Sequence, residues 1–228
     1  MNELMEKISY SIHRSYRKTI AITITPEGEV LVKAPKRLPK AFIEGFVSSK
    51  ADWIADALEK RKKLEEQKKS FRLESICFLG GEYPVRTGPA GSTVRFTGKY
   101  FQVPKGPKEE QMCQVTLWMK AQAKEIFSAR VALYAKEMNV HPKAVKVSSA
   151  KTRWGSYSSK GNVNLNWKLL FAPGQAVDYV VVHELAHAIE MNHGPQFWRI
   201  VAQVMPDYEE MQDVLKDLQK RLEREGWE

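Results

Sequence analysis

His183-Glu184-Leu185-Ala186-His187 sets two imidazoles and a carboxylate at a spacing that can do chemistry. On a helix, residues four apart share a face, one turn from each other, so both imidazoles can reach a single metal ion. Glu184, beside the first histidine, is then placed to take a proton from a water that the ion activates. H-E-x-x-H is a zinc-hydrolase pattern, with the histidines as ligands and the glutamate as general base. His193 follows, so three of the five histidines fall within eleven residues. An accidental cluster on a solvated helix face is the plain alternative. The apolar run Tyr179-Val180-Val181-Val182 speaks against it, because such a run carries a helix into a core.

Three neutral imidazoles leave the fourth position of a tetrahedral ion open for water or substrate. The third ligand has two candidates. His193 sits in Asn192-His193-Gly194, close to the expected end of the helix. Glu209 lies 22 residues after His187 and opens Glu209-Glu210-Met211-Gln212-Asp213. A glutamate from a later helix is the other common solution. His193 is preferred for its position.

The surrounding elements must hold these groups. Ser148 to Gly161 is rich in small polar residues and glycine and reads as a loop. Arg153 is the first candidate for an oxyanion donor, with Tyr157 and Lys151 behind it; Arg153 serves equally well as an anchor for its loop. Asn162 to Trp167 alternates polar and apolar residues, which marks a strand with one buried face. A substrate peptide could add to such a strand, with Asn162, Asn164 and Asn166 facing a polar groove. A plain sheet strand with solvated asparagines is the even alternative.

The metal helix is expected from about Ala176, with Asp178 in its first turn, to about Glu190–Asn192. Asn192 or Gly194 would supply a left-handed closing residue. A helix from Pro195 brings Phe197 and Trp198 under the site, and a last helix runs from Pro206-Asp207 to about Glu225.

Upstream, Ser9–Arg14, Thr19–Ile24 and Val30–Ala34 read as strands, the last two joined by the turn Pro26-Glu27-Gly28-Glu29. One helix is expected from about Lys40 to Lys69, with a highly charged, solvated end. Short strands follow at Ile76–Leu79, Glu82–Thr87, Thr93–Thr97 and Tyr100–Val103. Pro104-Lys105-Gly106-Pro107 suggests a boundary. A long helix from Glu109 to Asn139 and a strand at Val145–Val147 lead to the loop.

The bulk numbers describe an ordinary globular protein of 228 residues, 43% hydrophobic and 28% charged. No segment approaches the ~20 apolar residues of a membrane span. Met1–Lys7 has no signal-peptide pattern. Cys77 and Cys113 form no C-x-x-C and read as reduced structural thiols. The expectation is a cytoplasmic protein without membrane contact. The net charge of +9 is uneven. Residues 76–160 hold 14 Lys/Arg against 5 Asp/Glu, whereas 161–228 hold 6 against 11. That basic stretch could attract nucleic acid or nucleotides, or be only a solvated surface.

Arg153-Trp154-Gly155-Ser156, Gly161 to Trp167, Tyr179 to His187 and Asn192 to Trp198 form an ordered set. This set resembles the YgjP-like metallopeptidase family, related to the SprT-like and WLM zincin metalloproteases. The N-terminal half is similar more loosely. The resemblance implies zinc as cofactor and His193 as the third ligand with His183 and His187. The family often has cysteine after Gly-Ser, where this chain has Tyr157.

The expected fold class is α+β. A zincin-like catalytic domain over 106–228, a small sheet plus the H-E-x-x-H helix, would follow a strand-rich region with a long helix over 1–105. The expected activity is zinc-dependent hydrolysis of peptide bonds, with Glu184 as base, Arg153 assisting and a polypeptide as substrate. The other readings are a metal-dependent phosphohydrolase acting on nucleotides and a non-catalytic zinc-binding module. Oligomeric state is left open.

Overall fold

Strand alternation and helical periodicity each find a core to face. In the computed structural model the described residues are 9–25, 28–70 and 72–227, without the side chains of 68–70. Met1–Lys7 and the turn residues Pro26 and Glu27 lie outside them. The chain divides into two compact units, Met1–Phe71 and Arg72–Glu228.

In the first unit, β1 (Tyr10–Ser15), β2 (Ala21–Ile24) and β3 (Val30–Pro35) form a sheet in the order β1-β3-β2. β2 and β3 are the expected antiparallel pair, and β1 runs parallel to β3. Val30, Val32 and Ala34 alternate into a core shared with Ile43, Val47 and Ile54. The single helix expected over 40–69 is instead two, α1 (Lys40–Ser49) and α2 (Ala51–Ser70). The Ser49 hydroxyl donates to the Phe46 carbonyl at 2.8 Å, a local bond that competes with helix continuation. Lys50 then leaves the helical region at φ −114°.

In the second unit, β4 (Ser75–Phe78), β5 (Gly81–Gly88), β6 (Arg95–Phe96) and β7 (Phe101–Pro104) make a sheet in the order β4-β5-β7-β6. The long helix α3 (Lys108–Glu137) buries Val115, Met119, Ala123, Phe127 and Val131 along one stripe. The boundary expected at 105/106 falls inside this unit. Phe101 and Val103 share one core with Val115 and Met119, and the Phe101 and Trp118 rings meet edge to face at 5.1 Å. The Pro-Gly-Pro segment turns the chain without separating two cores. The chain divides instead at Phe71/Arg72.

The second sheet of this unit has β8 (Ala144–Ser148), β9 (Gly155–Tyr157) and β10 (Asn162–Asn166) in the order β8-β10-β9. β10 is the centre, parallel to β8 and antiparallel to β9. A 3-10 turn, Trp167–Phe171, leads into α4 (Gly174–Ala186), followed by α5 (Pro195–Val204) and α6 (Tyr208–Glu225). Small sheets and helices in one core make the class α+β, as expected. Among the described residues no helix is long and apolar enough to cross a membrane.

α4 is buried on nearly every side: Ala176, Val177, Tyr179 to Val182, Leu185 and Ala186 all lie in the core. It starts two residues earlier than expected, so Asp178 is beyond the first turn. Asp178 is also buried, and the Arg130 guanidinium of α3 donates to its Oδ1 at 2.7 Å and its Oδ2 at 2.5 Å. Its role is an ion pair that ties α4 to α3, not a contact with the helix dipole. Of the cysteines, Cys77 accepts from Arg221 Nη1 at 3.2 Å, whereas Cys113 is exposed and does not have the structural setting expected for it.

Arg130→Met leaves the Asp178 carboxylate in the core without its counter-charge, with the Tyr134 hydroxyl still beside it. It is expected to lower stability by roughly 3 kcal/mol, the low end for a broken buried pair, because Arg130 is itself about a third exposed. Arg130→Met with Asp178→Leu should recover much of that loss. Urea unfolding midpoints of the single and double variants measure both effects.

Candidate metal centre and active site

His183 lies in the last turn of α4 and His187 is its C-cap, at φ −66° and ψ −15°. The helix does not continue to Glu190–Asn192 as expected. Ala188 and Ile189 donate to the carbonyls three residues back, at 2.9 and 3.0 Å, so the end tightens to 3-10 geometry. Neither Asn192 nor Gly194 supplies a left-handed cap: Gly194 has φ −81°, and Asn192 is not among the positive-φ residues. The tightened turn brings the Glu190 carbonyl to 3.2 Å from His187 Nδ1. That carbonyl can only accept, so Nδ1 carries the proton and Nε2 keeps a free lone pair.

The chain then doubles back and carries His193 over the helix end. His193 Nε2 stands 3.0 Å from His183 Nε2. One ligand atom from each of His183, His187 and His193 lies within 4.8 Å of the others. Glu209 is not among them; it is exposed on α6 with its carboxylate beside the Tyr208 hydroxyl. Phe197, fully buried at the start of α5, touches all three rings, with centroids 4.9, 4.7 and 4.6 Å from His183, His187 and His193. Trp198 flanks His183 and His193. Both aromatics thus pack under the site as expected.

Burial, and then the neighbouring rings, push the His183 pKa down to about 4, and burial lowers that of His187 as well. Neutral imidazoles with converging lone pairs are the form that binds a metal. The three residues therefore fit a metal ion.

Glu184 is 5% exposed. Burial pushes its pKa up to about 7, against the opposing effects of the Tyr157 backbone N–H and the Arg153 charge. The N–H follows from strand alternation. Trp154 and Ser158 turn their main chains toward β10, so Tyr157, out of phase with both, turns its own outward. Gly155 makes room: a Cβ there would lie 2.5 Å from Glu184 Oε1. Sequence reasoning read this stretch as loop. The signal it missed was a glycine and a backbone donor, neither of which has a side chain to notice.

The asparagines of β10 do not line a groove. β10 is flanked on both sides, so no peptide can add to it. Asn164 Nδ2 donates to the Ser156 carbonyl and hydroxyl at 3.2 and 3.1 Å. Asn166 Nδ2 donates to the carbonyls of Ala150 and Arg153 at 2.8 and 3.1 Å. They clamp the loop that carries Arg153 and the strand that carries Gly155. β9 is an edge strand, with β8 at the other edge.

Of the three oxyanion candidates, Arg153 is the one whose charge reaches Glu184. The Tyr157 hydroxyl lies instead by Gly161, 3.7 Å from a Cβ built there. Lys151 lines a neighbouring cleft with Arg153. Two supporting residues were missed. The Tyr179 hydroxyl is 3.5 Å from His183 Nδ1, and Gln212 Nε2 of α6 donates to it at 3.1 Å. Tyr179 could have been found, since it stands one helical turn before His183 on the same face.

A model of the YgjP-like metallopeptidase domain matches residues 18–218. The chain belongs to the YgjP-like metallopeptidase family. It is thus a hydrolase, and the family implies a metal ion. Two solved metallopeptidase zymogens are also similar. Abylysin of Pyrococcus abyssi is 24% identical over 38% of this chain and 89% of its own, with a TM-score of 0.36. Jannalysin of Methanocaldococcus jannaschii is 22% identical over 41% and 95%, also with a TM-score of 0.36. No curated protein matches the chain.

A carboxyl whose folded pKa is raised loses stability as pH climbs, because the unfolded chain gives up its proton first. For Glu184 that window runs from 4.5 to about 7. In chelated protein, the stability of Glu184→Gln relative to wild type should grow across this window and level off above it. The His183 contribution is common to both and cancels. Urea titrations at stepped pH read the difference, and a flat difference would contradict the buried, uncompensated carboxyl. Separately, Gly155→Ala should displace the Glu184 carboxylate. Turnover is expected to fall on the order of a hundredfold, with metal content unchanged by elemental analysis.

Proposed function

We propose that the chain is a zinc-dependent peptidase in which His183, His187 and His193 hold the ion and Glu184 is the general base. The observation that carries this reading is the convergence of three imidazole nitrogens within 4.8 Å beside a buried carboxylate with a pKa near 7. Zinc, when bound, supplies Lewis acidity and lowers the pKa of a bound water to ~7.

The chain's own groups do the rest. The Glu184 carboxylate accepts a proton from the attacking water and delivers it to the leaving amine nitrogen. Burial keeps the carboxylate from being levelled by solvent, and the Tyr157 N–H holds its orientation. The scissile peptide lies extended along β9, where the outward main chain at Gly155 can bond it, the Tyr157 N–H being taken by Glu184. Arg153 stands ready to stabilise the developing oxyanion. Tyr179 and Gln212 hold the His183 ring, as outer partners of a metal-bound histidine do.

The test is a digest of an unfolded protein library by zinc-loaded enzyme, run beside a panel of nucleotides. Peptide cleavage is expected. Glu184→Gln should lower it by about 10²–10⁴-fold while retaining one zinc per chain. His193→Ala should lose stoichiometric zinc. Zinc loss only in Glu209→Ala would overturn the ligand assignment. Turnover of nucleotides alone would replace the peptidase reading with phosphate hydrolysis.

A further inference from the structure

A cleft of about 710 Å3 opens beside the site, and the catalytic steps above do not use it. Its walls are apolar and aromatic, with Trp154, Tyr179 and Leu215, and its rim carries Lys151, Arg153 and Gln212. Three of these residues reach the centre. Trp154 directly precedes Gly155 of β9. Tyr179 stands by His183 Nδ1, and the Arg153 charge acts on Glu184.

The charges are unbalanced. Lys216 and Lys220, also on the rim, are each paired along α6, to Asp213 at 2.7 Å and to Asp217 at 2.9 Å. Glu223, the acid in the lining, accepts from Gln219 Nε2 at 2.8 Å. Among the described residues neither Lys151 nor Arg153 has an ion-pair partner. Lys151 and Arg153 thus stand in an apolar cleft with no salt bridge of their own, although Arg153 acts on Glu184 and Glu223 shares the lining, next to the strand edge where a peptide would lie. A strand advances ~3.3 Å per residue and alternates its side chains. A peptide on β9 therefore brings a side chain to the cleft within one or two residues of the scissile bond.

We propose that this cleft is a specificity subsite for glutamate in the substrate. Its two methylenes would lie on Trp154 and Leu215, and its carboxylate would meet Lys151, leaving Arg153 to the oxyanion. Aspartate is too short to satisfy both contacts. The inference rests on the peptidase reading and names the substrate class for the same site.

The test uses zinc-loaded full-length protein and one quenched peptide that it cleaves, with Glu, Asp, Gln, Leu or Lys placed in turn at each residue flanking the cut. At one position Glu should exceed Gln by about tenfold or more in kcat/KM, as charge-assisted bonds allow, with Asp weaker and Lys weakest. Lys151→Glu should collapse the Glu-to-Gln ratio to about one or below, as charge repulsion requires. Zinc content and the urea midpoint should match wild type, which shows that the variant is folded. Cleavage without a Glu preference, or a preference that Lys151→Glu leaves intact, overturns the subsite alone. Cleavage of no peptide overturns the peptidase reading and the subsite with it.

Discussion

A carboxylate kept out of water governs the arrangement around it. Glu184 sits in the angle between α4 and β9, and burying its charge is costly unless polar partners meet it. The surrounding structure answers with one backbone N–H from Tyr157 and the charge of Arg153. It also leaves Gly155 without a side chain, where a Cβ would occupy the carboxylate's place. The compensation is incomplete, and without a metal ion burial pushes the carboxyl up to about 7.

That arrangement depends on elements far from the motif. Asn164 and Asn166, on the central strand, hold the loop and edge strand that present Arg153, Gly155 and Tyr157. α4 is locked in rotation by valines on several faces and by the Arg130–Asp178 pair. A helix free to turn by one residue would swing its histidines by about 100°. Phe197 then sets the spacing of the three rings from below. Rigid packing on all sides thus converts a short sequence pattern into converging donors.

Much of the site was legible because it was local. His183, Glu184 and His187 sit on one helical turn, and Phe197 and Trp198 follow a helix start marked by Pro195. His193 was legible from its closeness to the helix end. β9 was not legible, because Gly155-Ser156-Tyr157 has no alternation long enough to read as a strand. The asparagines of β10 were misread for a related reason. Spacing gives the face on which a side chain lies, not whether a neighbouring strand already covers that edge. The helix break at Lys50 and the early end of α4 were likewise set by single hydrogen bonds, below what periodicity resolves.

The residue pattern alone pointed to the histidine cluster, to the family through its ordered motifs from Arg153 to Trp198, and to the α+β class. The H-E-x-x-H spacing lies on one element, where geometry is dictated by the helix repeat. Tertiary structure alone decided that β9 is an edge strand and β10 the central one. It also decided that Gly155 and a backbone N–H meet the Glu184 carboxylate, and that Lys151, Arg153, Trp154 and Leu215 share a cleft. These contacts join residues up to tens of positions apart, and only the packing of one element on another brings them together.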